Sequence, residues 1–147
     1  MSSGWSRTFD AAYAVLRVLD PAIRAWYGAF GLGNVIELHV VGRRSGRSRS
    51  ILLGLLRTDG GLYLGHPNGE VGWTRDLESA GRGKLRWRDG PPVEFRPVRL
   101  PIGDERDAAI RATEQHPFPG DLLYRAGRRH VRRVGVFFRL EPLDGGA

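Results

Sequence analysis

Apolar residues at period two, broken by glycine-rich turns, constrain this 147-residue chain more than any other feature. Ile36, Leu38 and Val40 alternate with Glu37, His39 and Val41, as in a strand with one buried face. A glycine and arginine turn follows, then a continuous apolar run, Ile51 to Leu56, which suits a central strand. Asp59-Gly60-Gly61 is a hairpin turn, and Leu62-Tyr63-Leu64 returns from it. Leu85 and Trp87 alternate with Lys84, Arg86 and Arg88, and the turn Asp89-Gly90-Pro91-Pro92 leads into an extended stretch, Val93 to Leu100. Pro97 within it marks an edge or a bulge. Val134, Val136, Phe138 and Leu140 form the last strand.

Helices separate these hairpins. Phe9, Tyr13, Leu16 and Leu19 recur at helical spacing. Asp20-Pro21 reads as the start of a second helix through Ile23, Trp26 and Tyr27, which Gly31 or Gly33 ends. Trp73, Leu77 and Ala80 share one face of a short helix with Gly81 just past its end. Asp104 caps a helix to about Gln115, and Pro117 and Pro119 precede a helical turn holding Leu122, Leu123 and Tyr124. The expected architecture is α+β: about six strands in a small antiparallel sheet curled into a barrel, with N-terminal helices and further helices between strands.

Several chemistries are excluded. There is no cysteine, so disulfides, thiolate metal sites and cysteine nucleophiles are out. The four histidines, His39, His66, His116 and His130, lack metal-ligand spacing. Gly31-Leu32-Gly33 precedes a strand instead of following one, and no phosphate-loop or nucleophile-elbow motif occurs. No stretch approaches the roughly 18 apolar residues of a membrane span. The N-terminal apolar stretch is cut by Arg17 and does not read as a secretion signal, so the expected location is cytoplasmic.

The formal net charge is +7, and of 23 Lys and Arg residues only Lys84 is lysine. Such a chain suits an anionic ligand. Trp87 beside Arg86 and Arg88 is the sole hint of nucleic-acid stacking; with no recognition helix or RNA-binding sheet signature, nucleic acid is not an expected partner. The sharpest local signal is Gly42-Arg43-Arg44-Ser45-Gly46-Arg47-Ser48-Arg49. Glycines leave backbone N–H groups unobstructed to cradle an anion, and guanidinium forks add bidentate contacts.

That run resembles the Gly-Arg-Lys/Arg-Ser/Thr-Gly-x-x-Arg signature of the deazaflavin-dependent nitroreductase family, split β-barrels that use coenzyme F420. Trp73-Thr-Arg-Asp-Leu-Glu-Ser-Ala-Gly81 resembles the family's Trp-x-Arg-Asn-Leu-x-Ala-x-Gly segment, and Val136 to Leu140 resembles its final strand. The family's usual Asn is Asp76 here, and the Pro that usually opens its second strand is missing from Ile51-Leu52-Leu53.

The resemblance implies an F420-dependent oxidoreductase, with FMN as the alternative cofactor. Arg43, Arg44, Ser45, Gly46 and Arg49 would hold the phosphate and early tail. The ring would lie near Leu53 and Gly54, and the His66-Pro67-Asn68-Gly69 loop would close over it. Trp73 would seat its helix, Arg75 would offer another anion contact, and Asp76 would stand in the family's amide position. Tyr124 or water would deliver a proton to a small-molecule hydride acceptor: a quinone, an enone or a nitro compound. Residues themselves leave other roles open: core packing for Trp73 and Tyr124, a turn filler for His66, and inward aim at the barrel mouth for Arg132. The organisation expected is a helical segment (1–34) on the barrel, the cofactor-binding barrel (35–141) and a tail (142–147). The first segment either covers a barrel end or touches a membrane surface, and the chain is a monomer or a homodimer. A non-catalytic FMN- or lipid-binding barrel is the rival reading.

Overall fold

The computed structural model describes residues 4–31, 33–88 and 90–143. Residues 144–147 of the expected tail and Asp89 of the expected turn lie outside them. The strands are β1 (Val35–Val41), β2 (Ser48–Gly54), β3 (Leu56–Thr58), β4 (Gly61–His66), β5 (Gly83–Arg86), β6 (Val93–Arg99) and β7 (Val136–Pro142). The helices are α1 (Gly4–Phe30), α2 (Gly72–Ala80), α3 (Asp104–Arg111), α4 (Gly120–Ala126) and α5 (Arg128–Val134), with a 3-10 turn, Ala112–Gln115, continuing α3.

All strand pairs are antiparallel, in the order β2-β1-β5-β6-β7-β4-β3. The two ends of this order, β2 and β3, are joined by one residue, Leu55. So short a link forces the sheet to curl until its edges meet. Asn34 fastens the corner: Leu55 N–H donates to the Asn34 carbonyl at 2.9 Å, and Asn34 Nδ2 donates to the Leu55 carbonyl at 3.1 Å. The Ile51–Leu56 run is therefore two strands with a corner between them, and the described residues form seven strands where about six were expected.

Curling creates two apolar clusters. Ile36, Leu38, Val40, Leu55, Leu64, Leu85, Phe95, Val136, Phe138 and Leu140 fill the inside, closed by Trp73 and Leu77 of α2. Leu56, Tyr63 and Phe137 point the other way, against Phe9 of α1, Ile110 of α3, Tyr124 of α4 and Val131 of α5. The β3, β4 and β7 strands thus contribute to both clusters, which explains the unbroken Val136-Phe137-Phe138 run. By contrast β1 alternates buried and partly exposed residues, because no helix covers most of its outer face.

Other expectations are corrected. The N-terminal region is one helix, with Pro21 in its interior. The Asp20 carboxylate, read as a cap, instead takes Arg24 Nε at 2.7 Å. An interior proline costs about 3 kcal/mol, and tertiary anchoring at both ends offsets it. Phe9 is buried near the N-terminus; beyond the proline, Arg24 donates to Ser50 and Tyr27 accepts the Arg88 N–H at 2.8 Å. Between these anchors residues 14–19 are all exposed, leaving Val15, Leu16, Val18 and Leu19 at the surface. Asp104 opens α3 without capping it, and the α-helix ends at Arg111. Val134 belongs to α5, not to the last strand, so Arg132 does not aim at the barrel mouth. It reaches Asp107 at the surface. The buried arginine is Arg106, which donates to the carbonyls of Arg132 and Gly135 (both 2.8 Å) at the end of α5. Pro97 lies where β6 has outrun β5 and pairs only with β7, so a missing N–H is tolerated.

Gly65 of β4 sits opposite Phe137 of β7, and a Cβ there would overlap the Phe137 ring. That ring is fixed in the outer cluster, so it cannot yield. Gly65→Ala should cost about 1–3 kcal/mol, read as a lower urea midpoint at unchanged slope.

Candidate functional site

The hairpin between β1 and β2 is shaped by its glycines. Gly46 adopts φ +69°, a left-handed conformation, and its N–H donates to the Gly42 carbonyl at 2.9 Å. A Cβ on Gly42 would lie 2.7 Å from Ser45 Oγ. Ser45 Oγ accepts the Arg47 N–H at 3.2 Å, so this hydroxyl serves the turn itself.

The α2 helix delivers the hairpin's partner. Thr74 is buried in its first turn, where its hydroxyl accepts the Val71 N–H at 2.9 Å. Trp73 and Leu77 enter the inner core, with Trp73 against Phe138. This sets Asp76, 1% exposed, under the hairpin. Its Oδ1 accepts the Arg43 N–H at 3.1 Å and Arg43 Nη1 at 2.7 Å, and its Oδ2 accepts Arg49 Nη1 at 2.8 Å. Burial pushes the Asp76 carboxyl up, but the Arg43 N–H, the Arg43 guanidinium and the Arg49 charge outweigh it. Its pKa ends below the ordinary carboxylate value. Each guanidinium has five N–H donors; Arg43 Nη1 also donates to the Gly72 carbonyl at 3.4 Å, and the Arg43 and Arg49 side chains stay 26% and 51% exposed. Arg44 and Arg47 are exposed and form no ion pair among the described residues. Arg75 points away on α2, 3.9 Å from Glu70.

A second group gathers beneath the N-terminal half of α1. Asn68 Oδ1 meets His130 Nε2 at 2.6 Å, and Asn68 Nδ2 donates to Asp10 Oδ1 at 2.8 Å and to the Ser6 carbonyl at 2.9 Å. His66 is buried against the Tyr13 ring. The Tyr13 and Tyr124 hydroxyls lie 3.3 Å apart, and the Tyr124 ring packs on His116. A Cβ on Gly54 would overlap that imidazole, so His116 covers the place expected to floor a ring. Leu53 packs against the inner core. Pro67 is buried, and Gly69 (φ +91°) turns the loop into α2. Gly54 and the hairpin are opposite ends of β2, roughly 20 Å apart at strand rise. The expected residues therefore form two separate groups: Arg43, Arg49 and Asp76 in one, His66, Asn68 and Tyr124 in the other.

Open space lies elsewhere. A cavity of about 390 Å³ occupies the bare outer face of β1 and β5, bounded by Val41 and Ser48 at the hairpin's base and by His39, Arg82, Lys84 and Arg86. In this group Arg86 reaches the Gly90 carbonyl at 3.2 Å, Lys84 lies 4.0 Å from Glu94, and His39 Nε2 lies 3.0 Å from Glu37. This groove was missed from the sequence, although His39 and Lys84 share the outward parity and are cross-strand partners. Tyr13, His116 and His130 had no comparable signal, since long-range packing alone assembles them. Among the described residues no cluster suits a metal ion, and no helix is long and apolar enough to cross a membrane.

No family model and no curated protein matches the sequence. Solved structures do match in shape. HutZ, a heme storage protein from Vibrio cholerae, aligns with TM-score 0.55 at 13% identity over 86% of this chain and 92% of its own. An F420-H2 dependent reductase aligns with TM-score 0.55 at 14% identity over 74% and 94%. A domain-swapped dimer aligns with TM-score 0.53 at 15% identity over 87% and 99%. The chain is a split β-barrel. At such identities the likeness extends to the fold, and proteins sharing this barrel carry different ligands.

Burial lowers the pKa of both His66 and His116 to about 4. An unfolded chain, with histidine near 6.5, binds more protons than the native state between these values. Stability should therefore fall as pH drops from 6.5 toward 4, by on the order of 2–3 kcal/mol per histidine. Urea melts across that range check it. A His66→Gln, His116→Gln variant should lose most of the slope.

Proposed function

We propose that this split β-barrel is an oxidoreductase that binds coenzyme F420 and reduces a small electrophile such as a quinone, an enone or a nitro compound. The observation that carries the reading is the Arg43–Arg49 pair, ordered by a buried carboxylate while the two side chains stay 26% and 51% exposed. Their guanidinium donors suit a phosphate, and Arg44 and Arg47 add charge at the rim. An F420-H2 dependent reductase with the same fold supports the assignment.

When bound, the reduced cofactor supplies the hydride; the protein supplies position and electrostatics. The hairpin fixes the anionic end. The groove beginning at Val41 and Ser48 offers room for a flat ring, which the His116-covered surface at Gly54 does not. Tyr124 is sealed under α1, and burial holds its hydroxyl well above the ordinary tyrosine pKa. In our reading Tyr124 seats α1 and water delivers the proton. A homodimer is part of the proposal, since a second copy would cover the apolar stripe of α1. The rival, a non-catalytic FMN- or lipid-binding barrel, is separated by the absence of turnover with every acceptor class.

The test is F420 binding by fluorescence. An Arg43→Ala, Arg49→Ala, Asp76→Asn variant removes the cations without stranding a buried charge. Two lost charge-assisted bonds at roughly 1.5–3 kcal/mol each predict at least a hundredfold weaker affinity. Unchanged affinity in a folded variant would refute the assignment.

A further inference from the structure

We infer that Asp76 sets the charge of the ligand the hairpin accepts, favouring a singly charged phosphodiester over a doubly charged phosphate monoester. The inference rests on the cofactor reading above and concerns which cofactor the same site selects.

Charge counting at the hairpin carries it. Arg43, Arg49 and Asp76 form one hydrogen-bonded unit of two cations and one anion. Its net charge is +1. The carboxylate is 2% exposed, while the Arg43 and Arg49 side chains are 26% and 51% exposed. A ligand thus meets the guanidiniums from outside with a fixed negative charge directly behind them. A phosphodiester, with one negative charge, brings the unit to neutrality. A monoester carries about −1.5 to −2 at pH 7, because its second pKa is near 6. Its additional charge meets the field of Asp76 where the protein, not water, lies on one side, a penalty on the order of tenfold in affinity.

The remaining charges do not cancel this. Arg44 and Arg47 are exposed on the hairpin, where salt and water screen them. Along α2, Arg75 lies toward Glu70, and Glu78 is taken by Arg99. An amide at position 76 would leave the two arginines at +2 and remove the bias. At the phosphate itself F420 carries a singly charged diester and FMN a monoester, and the glutamate carboxylates of F420 lie beyond that phosphate, so at the phosphate position Asp76 favours the deazaflavin.

The experiment measures dissociation constants of FMN and F420 for the wild type and Asp76→Asn, with near-UV circular dichroism confirming the fold. The substitution should tighten FMN about tenfold relative to F420. A second arm uses the wild type from pH 7.5 to 5.5. The FMN-to-F420 affinity ratio should rise with a midpoint near 6 as the monoester takes its second proton. Titration of a protein group common to both complexes moves both affinities and leaves the ratio alone. Should Asp76→Asn fail to fold, the pH arm decides. Both ligands bound with a ratio that neither the substitution nor pH moves would overturn this inference and leave the cofactor reading standing. Neither ligand bound by wild type would bring down both.

Discussion

The corner at Leu55 is the constraint from which the rest of the structure follows. One residue joins the two strands at opposite ends of the sheet order, and its backbone is tied on both sides to Asn34. A flat seven-stranded sheet could not satisfy that link. Once curled, the sheet gains an inside, and Leu55 and Leu56 point into different clusters because neighbouring strand residues face opposite ways. Helices α3, α4, α5 and the start of α1 then cover the outside of β3, β4 and β7, leaving the outer face of β1 and β5 largely bare.

This division distributes the chemistry. Under the helices, His66, His130, Tyr63 and Tyr124 are buried, and His116 and Tyr13 are partly buried. Burial lowers the pKa of His66, His116 and His130 and raises that of Tyr13 and Tyr124. Groups held neutral in this way serve packing and hydrogen bonding better than proton transfer at neutral pH. On the bare side, cations remain exposed around a groove that starts at the base of the arginine hairpin. The two faces of one hairpin thus have different tasks. Arg49, opposite inward-facing Val40, reaches α2, whereas Ser48, opposite Val41, opens onto the groove.

Much of the fold could be read from sequence because its signals are local. Alternation identified β1, and Asp59-Gly60-Gly61 and Gly81 marked real boundaries, Gly81 in the left-handed conformation. Misreadings occurred where a distant partner decided. Asp20-Pro21 looks like a helix start until Arg24 takes the carboxylate. The Ile51–Leu56 run looks like one strand until Asn34 bends it. Val134 has strand parity but ends a helix whose final carbonyls Arg106 captures from 25 to 29 residues away. The hairpin's arginines stood out in the sequence, and the structure shows two of them, Arg43 and Arg49, gathered on one carboxylate. The Asp76 contact was visible only as a departure from the resembled pattern, since sequence says nothing about which charges meet across α2.

A buried carboxylate between two arginines is a poor way to gain stability. Desolvating the Asp76 carboxylate costs several kcal/mol, and a well-packed apolar replacement of a buried ion pair is often as stable. The value of such a unit lies in geometry. Asp76 holds one nitrogen of each guanidinium at 2.7–2.8 Å and so anchors the ends of two long, flexible side chains. Ordering a free arginine on binding costs up to about 2 kcal/mol of rotamer entropy. Here folding has already met that cost through α2, which Trp73 and Leu77 root in the barrel. In the proposed reading, an anion arriving at the hairpin would meet arginines already anchored, and the carboxylate that anchors them would also limit how much negative charge they accept.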